Sequence, residues 1–330
     1  MKEILTHLYL YNTLTKIEAK DVLLKIGKGA YTEAEIASFL TVYMMRDITH
    51  HELSGFREAL LDMAVQIDFP DYNTIDVCGT GGDEKNTFNI STLTAFVLAG
   101  AGEKVVKHGN YAVSSSCGSS NIMEYFGYKF SNDSSKLNED IQKSSICYMH
   151  APLFHPAMKH VGPVRKNLKV KTFFNLLGPM INPGRPKNQI TGVFSEKILD
   201  LYFKVYSEAG INHYVFYSLD GYDEISLTGD FRVISGNEDT VYTPEIIGFK
   251  NVNPDDLYGG RSVEEAAGIF MNILKGSGTS AQNNVVKANA AFALKCLKPE
   301  KNLEDCIAVA EESIFSGRAL HSFRQLMELQ

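Results

Sequence analysis

This chain of 330 residues lacks the features that mark membrane, nucleic-acid-binding and disulfide-stapled proteins. No uninterrupted apolar stretch is long enough to span a bilayer, and the first residues resemble an amphipathic helix more than a secretory leader. The five cysteines form neither a CxxC pair nor a dense framework. A formal net charge of -7 argues against a general nucleic-acid or membrane-surface role. We therefore expect a cytoplasmic protein with reduced thiols that binds neither nucleic acid nor membranes.

The N-terminal residues repeat one helix-start signal, a threonine followed three positions later by a glutamate, ahead of segments with helical apolar periodicity. This pattern is a capping box, in which the two side chains bond each other's backbone N–H groups. The pairs are Thr15 with Glu18, Thr32 with Glu35, and Thr49 with Glu52. Residues 1–69 are therefore predicted to form a helical bundle.

From residue 74 onward, short apolar strand candidates alternate with helical segments, which indicates an α/β layer with mostly parallel strands. The strand candidates are residues 74–78, 104–107, 146–150, 189–194 and 213–218. Helical segments near the C-terminus would cover the sheet; they are residues 262–274, 281–297 and 303–315. Residues 152–186 differ, with proline and glycine around basic helical pieces, and read as a crossing between lobes.

A glycine-rich turn follows the first strand candidate, in the run Asp76-Val-Cys-Gly-Thr-Gly-Gly-Asp83. Glycine lets a phosphate approach the backbone closely, and the helix predicted to open near Ser91 adds unpaired N–H groups. Lys107, after a second short strand candidate, supplies a full cation. The turn taken alone is equally compatible with a tight strand-to-helix connection. Together, the segments predict a phosphate-handling site.

Two named phosphate-binding motifs do not fit this turn. A P-loop ends in Gly-Lys-Ser/Thr, whereas here Lys85 follows Glu84. A dinucleotide fingerprint would place its third glycine at position 84, which is this same glutamate.

The acidic pair Asp223-Glu224 follows a glycine turn after a strand candidate. A magnesium ion on a polyphosphate takes one or two protein carboxylates, so this pair suits that role, although a solvated turn is an open alternative. His155 and His160 are five apart with a proline between, which is not the i, i+4 pair of a zinc helix. His108 and His155 could be pocket walls or purely structural.

Seven segments in order along nearly the whole chain resemble the anthranilate phosphoribosyltransferase family. They are GTGGD (79–83), NIST (89–92), KHGN (107–110), SSSCGSS (114–120), HPAMKHVGPVRK (155–166), FNLLGPMINP (174–183) and DGYDEISLTG (220–229). This resemblance implies transfer of the 5-phosphoribosyl group from phosphoribosyl pyrophosphate to the amine of anthranilate, with release of pyrophosphate, in tryptophan biosynthesis. It implies a pentosyltransferase that uses Mg²⁺.

The resemblance also implies an architecture, that of class III phosphoribosyltransferases and class II nucleoside phosphorylases. A small helical domain, residues 1–69 with about 160–186 added, would mediate a homodimer. A larger α/β domain with a mostly parallel central sheet, residues 70–159 and 187–330, would bind the phosphoribosyl donor. The active site is expected in the cleft between the domains.

Site residues follow from the resemblance, position by position. The donor would be held by Gly79, Gly82, Asp83, Thr87, Asn89, Ile90, Ser91, Thr92, Lys107, Ser115 and Ser119. Anthranilate would be bound by Gly79, His108, Asn110, His155 and Arg165. The magnesium ligands would be Ser91, Asp223 and Glu224. Lys107 would neutralise charge on the leaving pyrophosphate, and no general base is assigned.

The sequence departs from the family pattern at four positions. Tyr111 stands where arginine is typical, Asn121 where aspartate is common, and Lys169 and Lys171 where glycine and arginine are usual. A lysine in place of arginine loses bidentate geometry, so these positions bear on affinity and acceptor placement rather than on reaction type.

Two other functions remain open at this point. A pyrimidine-nucleoside phosphorylase shares the helical lobe, the α/β lobe and the glycine-rich turn, but phosphorolysis should not require magnesium. A non-catalytic relative that binds nucleic acid would show salt-dependent DNA binding.

Overall fold

The computed structural model describes residues 1–112, 116–236 and 238–330. These form two compact units, one of Met1–Ile67 with Ala151–Arg185, the other of Asp68–His150 with Pro186–Gln330. The segment that returns to the first unit thus begins at residue 151, earlier than the expected position of about 160, because a short helix follows the third strand directly.

Within the described residues, helices and strands alternate along most of the chain. The helices are α1 (Lys2–Tyr9), α2 (Lys16–Gly27), α3 (Glu33–Met45), α4 (His50–Met63), α5 (Ile90–Gly100), α6 (Ser119–Tyr125), α7 (Ser134–Ser144), α8 (Ala151–Phe154), α9 (Gly162–Leu168), α10 (Phe174–Leu177), α11 (Glu196–Glu208), α12 (Val263–Leu274), α13 (Ser280–Leu297), α14 (Leu303–Phe315) and α15 (Arg318–Glu328). The strands are β1 (Thr74–Gly79), β2 (Lys104–Gly109), β3 (Ile146–His150), β4 (Asn188–Gly192), β5 (Asn212–Ser218), β6 (Phe231–Ser235) and β7 (Glu238–Tyr242).

The first unit is a helical bundle, as the capping boxes predicted, and all three boxes are present at the starts of α2, α3 and α4. Aromatic rings fill its interior. Phe173, from the returning segment, stacks on Phe56 of α4 at 4.5 Å and meets the edge of Tyr43 of α3 at 5.1 Å. The returning segment is therefore part of the bundle's core.

One of the three capping glutamates has a second role that the sequence did not indicate. Glu52 is fully buried and accepts hydrogen bonds from the backbone N–H of Leu14 at 3.0 Å and from the Tyr43 hydroxyl at 3.1 Å. It also forms an ion pair with Arg46 at 2.5 Å. This carboxylate links the chain before α2 to the ends of α3 and α4.

The second unit contains a single sheet in the strand order β3-β2-β1-β4-β5-β6-β7. Neighbouring strands are parallel from β3 through β5, and β6 and β7 add an antiparallel edge. The prediction of an α/β fold with a mostly parallel sheet and a helical domain is confirmed. Strands β6 and β7 were not among the predicted strands.

Helix α5 lies at the centre of the second unit and packs against α13 and α15. Its Phe96 meets Phe323 of α15 at 5.2 Å, edge to face. Because the helix is apolar on nearly all sides, it is buried along its length, and only Ser91 and Gly100, near its two ends, are half-buried. No helix among the described residues has the length and apolar character needed to cross a membrane.

Candidate active site

The predicted donor residues lie at one edge of the sheet in the α/β unit. Strands β1, β2, β4 and β5 are parallel, so their carboxyl ends meet at this edge, where open α/β sheets bind ligands. The glycine turn follows β1, Lys107 lies near the end of β2, and Asp223 and Glu224 follow β5.

The turn after β1 needs its glycines, since Gly81 and Gly82 have φ of 69° and 81°. The backbone N–H of Gly81 donates to the Asp223 carboxylate at 2.5 Å. Gly79 and Gly192 are partners in the β1–β4 ladder, and a Cβ added to either would overlap Asp223. Asp223 can therefore lie over the ends of β1 and β4 only because neither strand carries a side chain there.

Lys107 is buried, and its ammonium group joins β1 to the start of α5. It donates to the carbonyl of Val77 at 2.7 Å and to the Ser91 hydroxyl at 3.4 Å. Burial raises the pKa of the Glu224 carboxyl, and the charge of Lys107 offsets part of that rise. A buried cation is thus fixed at the sheet edge that the sequence predicts to bind phosphate.

Asp223 and Glu224 are both buried, and both titrate abnormally. Burial, then the charges of Asp83 and Glu224, raise the pKa of Asp223 well above its usual range. Burial also raises the pKa of Glu224 to about 8, although Lys107 and hydrogen bonds from the backbone and side chain of Ser91 lower it. Three carboxyl groups repel one another here, because the Asp83 carboxyl reaches hydrogen-bonding distance of Asp223.

A divalent cation fits this donor set, since it would relieve the repulsion that raises both pKa values. Oxygen ligands from carboxylates and a hydroxyl are the type that magnesium prefers. Across residues 1–112, 116–236 and 238–330, no three His, Cys, Asp or Glu side chains form a complete metal-holding group. A metal ion bound here would need additional oxygen ligands, which the phosphate groups of a substrate could supply.

The loop of residues 83–89 is fixed by hydrogen bonds to neighbouring segments of the α/β unit. Asn89 donates from its side chain to the carbonyl of Cys117 at 3.0 Å, so this amide ties the start of α5 to the segment before α6. Asn86, which the sequence analysis passed over, donates to the carbonyl of Gly260 at 2.9 Å and accepts from the Ser116 hydroxyl at 2.9 Å. Thr87 forms an isolated antiparallel bridge with Tyr258.

The remaining donor residues occupy different environments. Ile90 and Thr92 are buried in the first turn of α5, with Ser91 between them half-buried. Ser119 begins α6, and its hydroxyl lies 2.8 Å from that of Tyr148. Ser115 lies outside the described residues.

Of the predicted acceptor residues in the α/β unit, His108 is buried and Asn110 is exposed just beyond β2. The Asn110 side chain accepts from the N–H of Tyr111 at 2.8 Å, which shapes the loop that leaves β2. The backbone N–H of His108 donates to Asp76 on the neighbouring strand at 3.5 Å.

The other two predicted acceptor residues belong to the helical unit. Burial lowers the pKa of His155 to about 4, so this imidazole is neutral at neutral pH. Arg165, on α9, donates to the side-chain oxygen of Asn175 at 3.3 Å and lies over the ring of Phe174 at 5.3 Å. Its guanidinium is therefore a half-buried cation held in place before any ligand binds.

Three of the four departures from the family pattern have a structural account. Tyr111 is partly exposed and its hydroxyl donates to Glu124 at 3.1 Å. The Asn121 side-chain oxygen accepts from the N–H groups of Ala112 and Gly118, both at 3.0 Å. Lys169 has φ of 54°, the left-handed conformation that favours glycine. Nothing in the structure explains Lys171.

Comparison with known families agrees with this two-unit architecture. Residues 2–64 match the helical bundle domain of the glycosyl transferase family, and residues 71–320 match its a/b domain. These two matches cover nearly the whole chain.

Curated relatives and solved structures match over almost the full length. The anthranilate phosphoribosyltransferase of Flavobacterium johnsoniae is 54% identical, covering 100% of this chain and 99% of the relative, and that of Bacteroides thetaiotaomicron is 49% identical at the same coverage. The crystal structure of the Thermus thermophilus enzyme superposes with a TM-score of 0.93 at 31% identity, covering 98% of both chains. The Saccharomyces cerevisiae enzyme in complex with PRPP and Mg gives 0.88 at 27% identity, covering 96% of this chain and 93% of that one. The strand-edge site and these full-length likenesses agree, and the chain belongs to the anthranilate phosphoribosyltransferase family.

Proposed function

We propose that this protein transfers the 5-phosphoribosyl group of phosphoribosyl pyrophosphate to the amine of anthranilate, releasing pyrophosphate, as a step of tryptophan biosynthesis. The observation that carries the proposal is the convergence at one sheet edge of a glycine turn, the buried Lys107 and the buried pair Asp223 and Glu224. The Lys107 cation and the backbone N–H groups of the turn suit the pyrophosphate oxygens. The carboxylate pair suits the magnesium ion bound to them.

For the donor, we assign the turn residues and the start of α5 together with three residues beyond them: Gly79, Gly82, Asp83, Thr87, Asn89, Ile90, Ser91, Thr92, Lys107, Ser115 and Ser119. Mg²⁺ would be held by Ser91, Asp223 and Glu224, and when bound it would supply positive charge to the pyrophosphate oxygens. The raised pKa of Glu224, about 8, supports this, because the pair is costly to ionise even with the charge of Lys107 nearby.

In the reaction, the bond from ribose C1 to the pyrophosphate oxygen breaks and positive charge develops on the sugar ring, as in other glycosyl transfers. Lys107 is well suited to stabilise the negative charge that accumulates on the leaving group, since its ammonium is already oriented by Val77 and Ser91. The amine of anthranilate has an available lone pair, so attack requires no side chain to remove a proton first. We assign no general base.

For anthranilate, we assign Gly79, His108, Asn110, His155 and Arg165. Arg165 would bind the carboxylate, because a guanidinium offers a fixed fork of donors to a planar anion. Neutral His155 would contribute shape and hydrogen bonding rather than charge.

We also propose that two copies associate through the helical unit. Tyr9, Tyr11 and Met45 are each more than half exposed, and together they line one groove formed by α1, the turn after it and α3. Apolar side chains clustered on one face commonly mark a protein interface. Light scattering should give the mass of two chains, and Met45→Lys should shift it toward one.

A reducing, cytoplasmic compartment is supported by the cysteines. All five are free thiols, which is typical of proteins that work where disulfides do not persist.

The test is fluorescence-monitored loss of anthranilate with phosphoribosyl pyrophosphate, with and without Mg²⁺. The chain contains no tryptophan, so the protein itself contributes little background. We expect magnesium-dependent consumption by the wild type and its loss in Asp223→Asn and Glu224→Gln. Asp230→Asn, which neutralises an exposed acid of the same loop, is the matched control and should remain active.

No consumption by folded wild-type protein would overturn the proposal. Phosphorolysis of pyrimidine nucleosides without metal, or salt-dependent DNA binding, would then favour one of the two other functions that the sequence left open.

A further inference from the structure

A chain of hydrogen-bonded side chains runs beneath Ser119 into the interior of the α/β unit. The Ser119 hydroxyl lies 2.8 Å from the Tyr148 hydroxyl, which lies 2.8 Å from the Ser120 hydroxyl. The Ser120 hydroxyl lies 2.8 Å from Nδ1 of His150. Two neighbouring residues of α6 are thus linked through the side chains of two residues of β3.

This chain is buried and closely packed. Tyr148 and Ser120 are fully buried, and the ring of His150 stacks on that of Phe130 at 4.3 Å. A Cβ added to Gly109 would overlap both the Tyr148 and the Ser119 hydroxyls. These side chains therefore have little room to take other positions.

Only one proton can lie between each pair of atoms, and each hydroxyl has one proton to donate. Two directions allow the buried Tyr148 and Ser120 hydroxyls each to donate within the chain. In the first, His150 Nδ1–H donates to Ser120, Ser120 donates to Tyr148, and Tyr148 donates to Ser119. The Ser119 proton is then directed away from the chain, where the carbonyl of Asn110 lies 3.4 Å from the hydroxyl as an acceptor that a phosphate oxygen would have to replace. In the second, every bond is reversed, Nδ1 carries no proton, and Ser119 presents only lone pairs outward.

We propose that Tyr148, Ser120 and His150 are positioning residues that direct the Ser119 hydroxyl proton toward a phosphate oxygen of the donor. The inference rests on the proposed function, which assigns Ser119 to the donor. Phosphate oxygens only accept hydrogen bonds, so the first direction is compatible with donor binding and the second is not.

The ionisation states of the buried groups are consistent with this arrangement. Burial raises the pKa of the Tyr148 phenol, which therefore keeps its proton. Burial also lowers the pKa of His150, against the opposing charge of Glu124, so at neutral pH the ring carries a single N–H. That proton's location, on Nδ1 or Nε2, selects the direction of the whole chain.

Tyr148→Phe should raise KM for phosphoribosyl pyrophosphate roughly five-fold, the effect of about one hydrogen bond, with little change in kcat. Ser120→Ala should act similarly. Tyr128→Phe is the matched control, because it removes another buried phenol that contacts the same strand, at the Tyr148 carbonyl, and takes no part in the chain. It should leave KM unchanged.

Rescue by a conservative variant separates positioning from general loss of structure. His150→Asn retains an amide N–H that can reach the place of Nδ1–H and should preserve KM, whereas His150→Phe should raise it. In the wild type, ¹⁵N NMR of the imidazole should show the Nδ1–H form once the donor and Mg²⁺ are added.

The outcomes are distinguishable. If wild-type protein does not bind the donor in calorimetry, the proposed function fails and this inference falls with it. If the wild type binds but Tyr148→Phe and Ser120→Ala behave as Tyr128→Phe does, or the Nε2–H form persists in the complex, the positioning chain is wrong and the proposed function stands.

Discussion

Replacing Glu52 by glutamine should destabilise the helical unit far more than the same change at the other two capping boxes. The three glutamates share one motif, but only Glu52 is fully buried. Its carboxylate accepts from the backbone of Leu14 and Thr49, from the Tyr43 hydroxyl, and from both terminal nitrogens of Arg46. A neutral amide cannot accept from all of them.

The magnitude follows from the ion pair. The Arg46 side chain is only 10% exposed, so loss of the carboxylate leaves a poorly solvated cation. Breaking a buried pair on one side costs about 3–5 kcal/mol, and glutamine retains some of the neutral bonds, so we expect about 3 kcal/mol. In a unit of about a hundred residues, this corresponds to a fall in Tm of roughly 10 °C or more.

Calorimetry on the full chain measures the transition, and hydrogen exchange of the α4 amides assigns it to the helical unit. Glu18→Gln and Glu35→Gln are the controls and should cause a small fraction of the shift. Burial alone would raise the pKa of Glu52, but hydrogen bonds from Arg46, Thr49 and Leu14 more than offset this and lower it. The stabilisation should therefore be complete above pH 4.5 and fall away below it, in the wild type but not in the variant. A Glu52→Gln shift no larger than that of Glu18→Gln would refute the reasoning.

Three further predictions concern single residues. Gly192→Ala should reduce kcat/KM roughly 100-fold by displacing Asp223, whereas Gly268→Ala, where a Cβ meets open space, should not change it. Lys169→Gly should raise the free energy of unfolding by about 1 kcal/mol, because it relieves a left-handed conformation; denaturant unfolding that shows no gain would contradict this. His155 is neutral and buried with a pKa of about 4, so the unfolded chain takes up its proton first as pH falls. Stability should drop by about 3 kcal/mol between pH 6.5 and 4, and His155→Gln should lack that part of the slope.

Local signals made much of the fold predictable. Capping boxes depend on side chains three residues apart, so Thr15, Thr32 and Thr49 marked the starts of α2 to α4 directly. Buried parallel strands are continuous apolar runs, and those between residues 74 and 218 stood out for that reason. Strand β7 is a polar edge strand with Asp239 and Thr240 exposed, so it lacks the apolar run by which the buried strands were recognised.

The candidate site was predictable in its residue types but not in its contacts. Asp223 and Gly81 are far apart in sequence, and no local pattern reports the bond between them. Gly192 was not predicted, because it contributes only by lacking a side chain where Asp223 lies. That position is set by the β1–β4 register, which the sequence does not reveal. Glu52 carried a recognisable motif, but its burial results from packing among three helices, which sequence spacing does not reveal.

Each unit is built from two separate stretches of the chain, so neither can finish folding until its second stretch has been synthesised. Phe173, which stacks inside the helical bundle, emerges only after most of the first half of the α/β unit. The central pairing of β1 with β4 must likewise wait for residues 188–192. Until then, β1, β2 and β3 are an incomplete parallel sheet in which the buried strand β1 is an unpaired edge, a type of intermediate prone to aggregation. Conditions that slow synthesis between residues 110 and 192 should therefore lower the yield of folded protein more than a pause near the C-terminus.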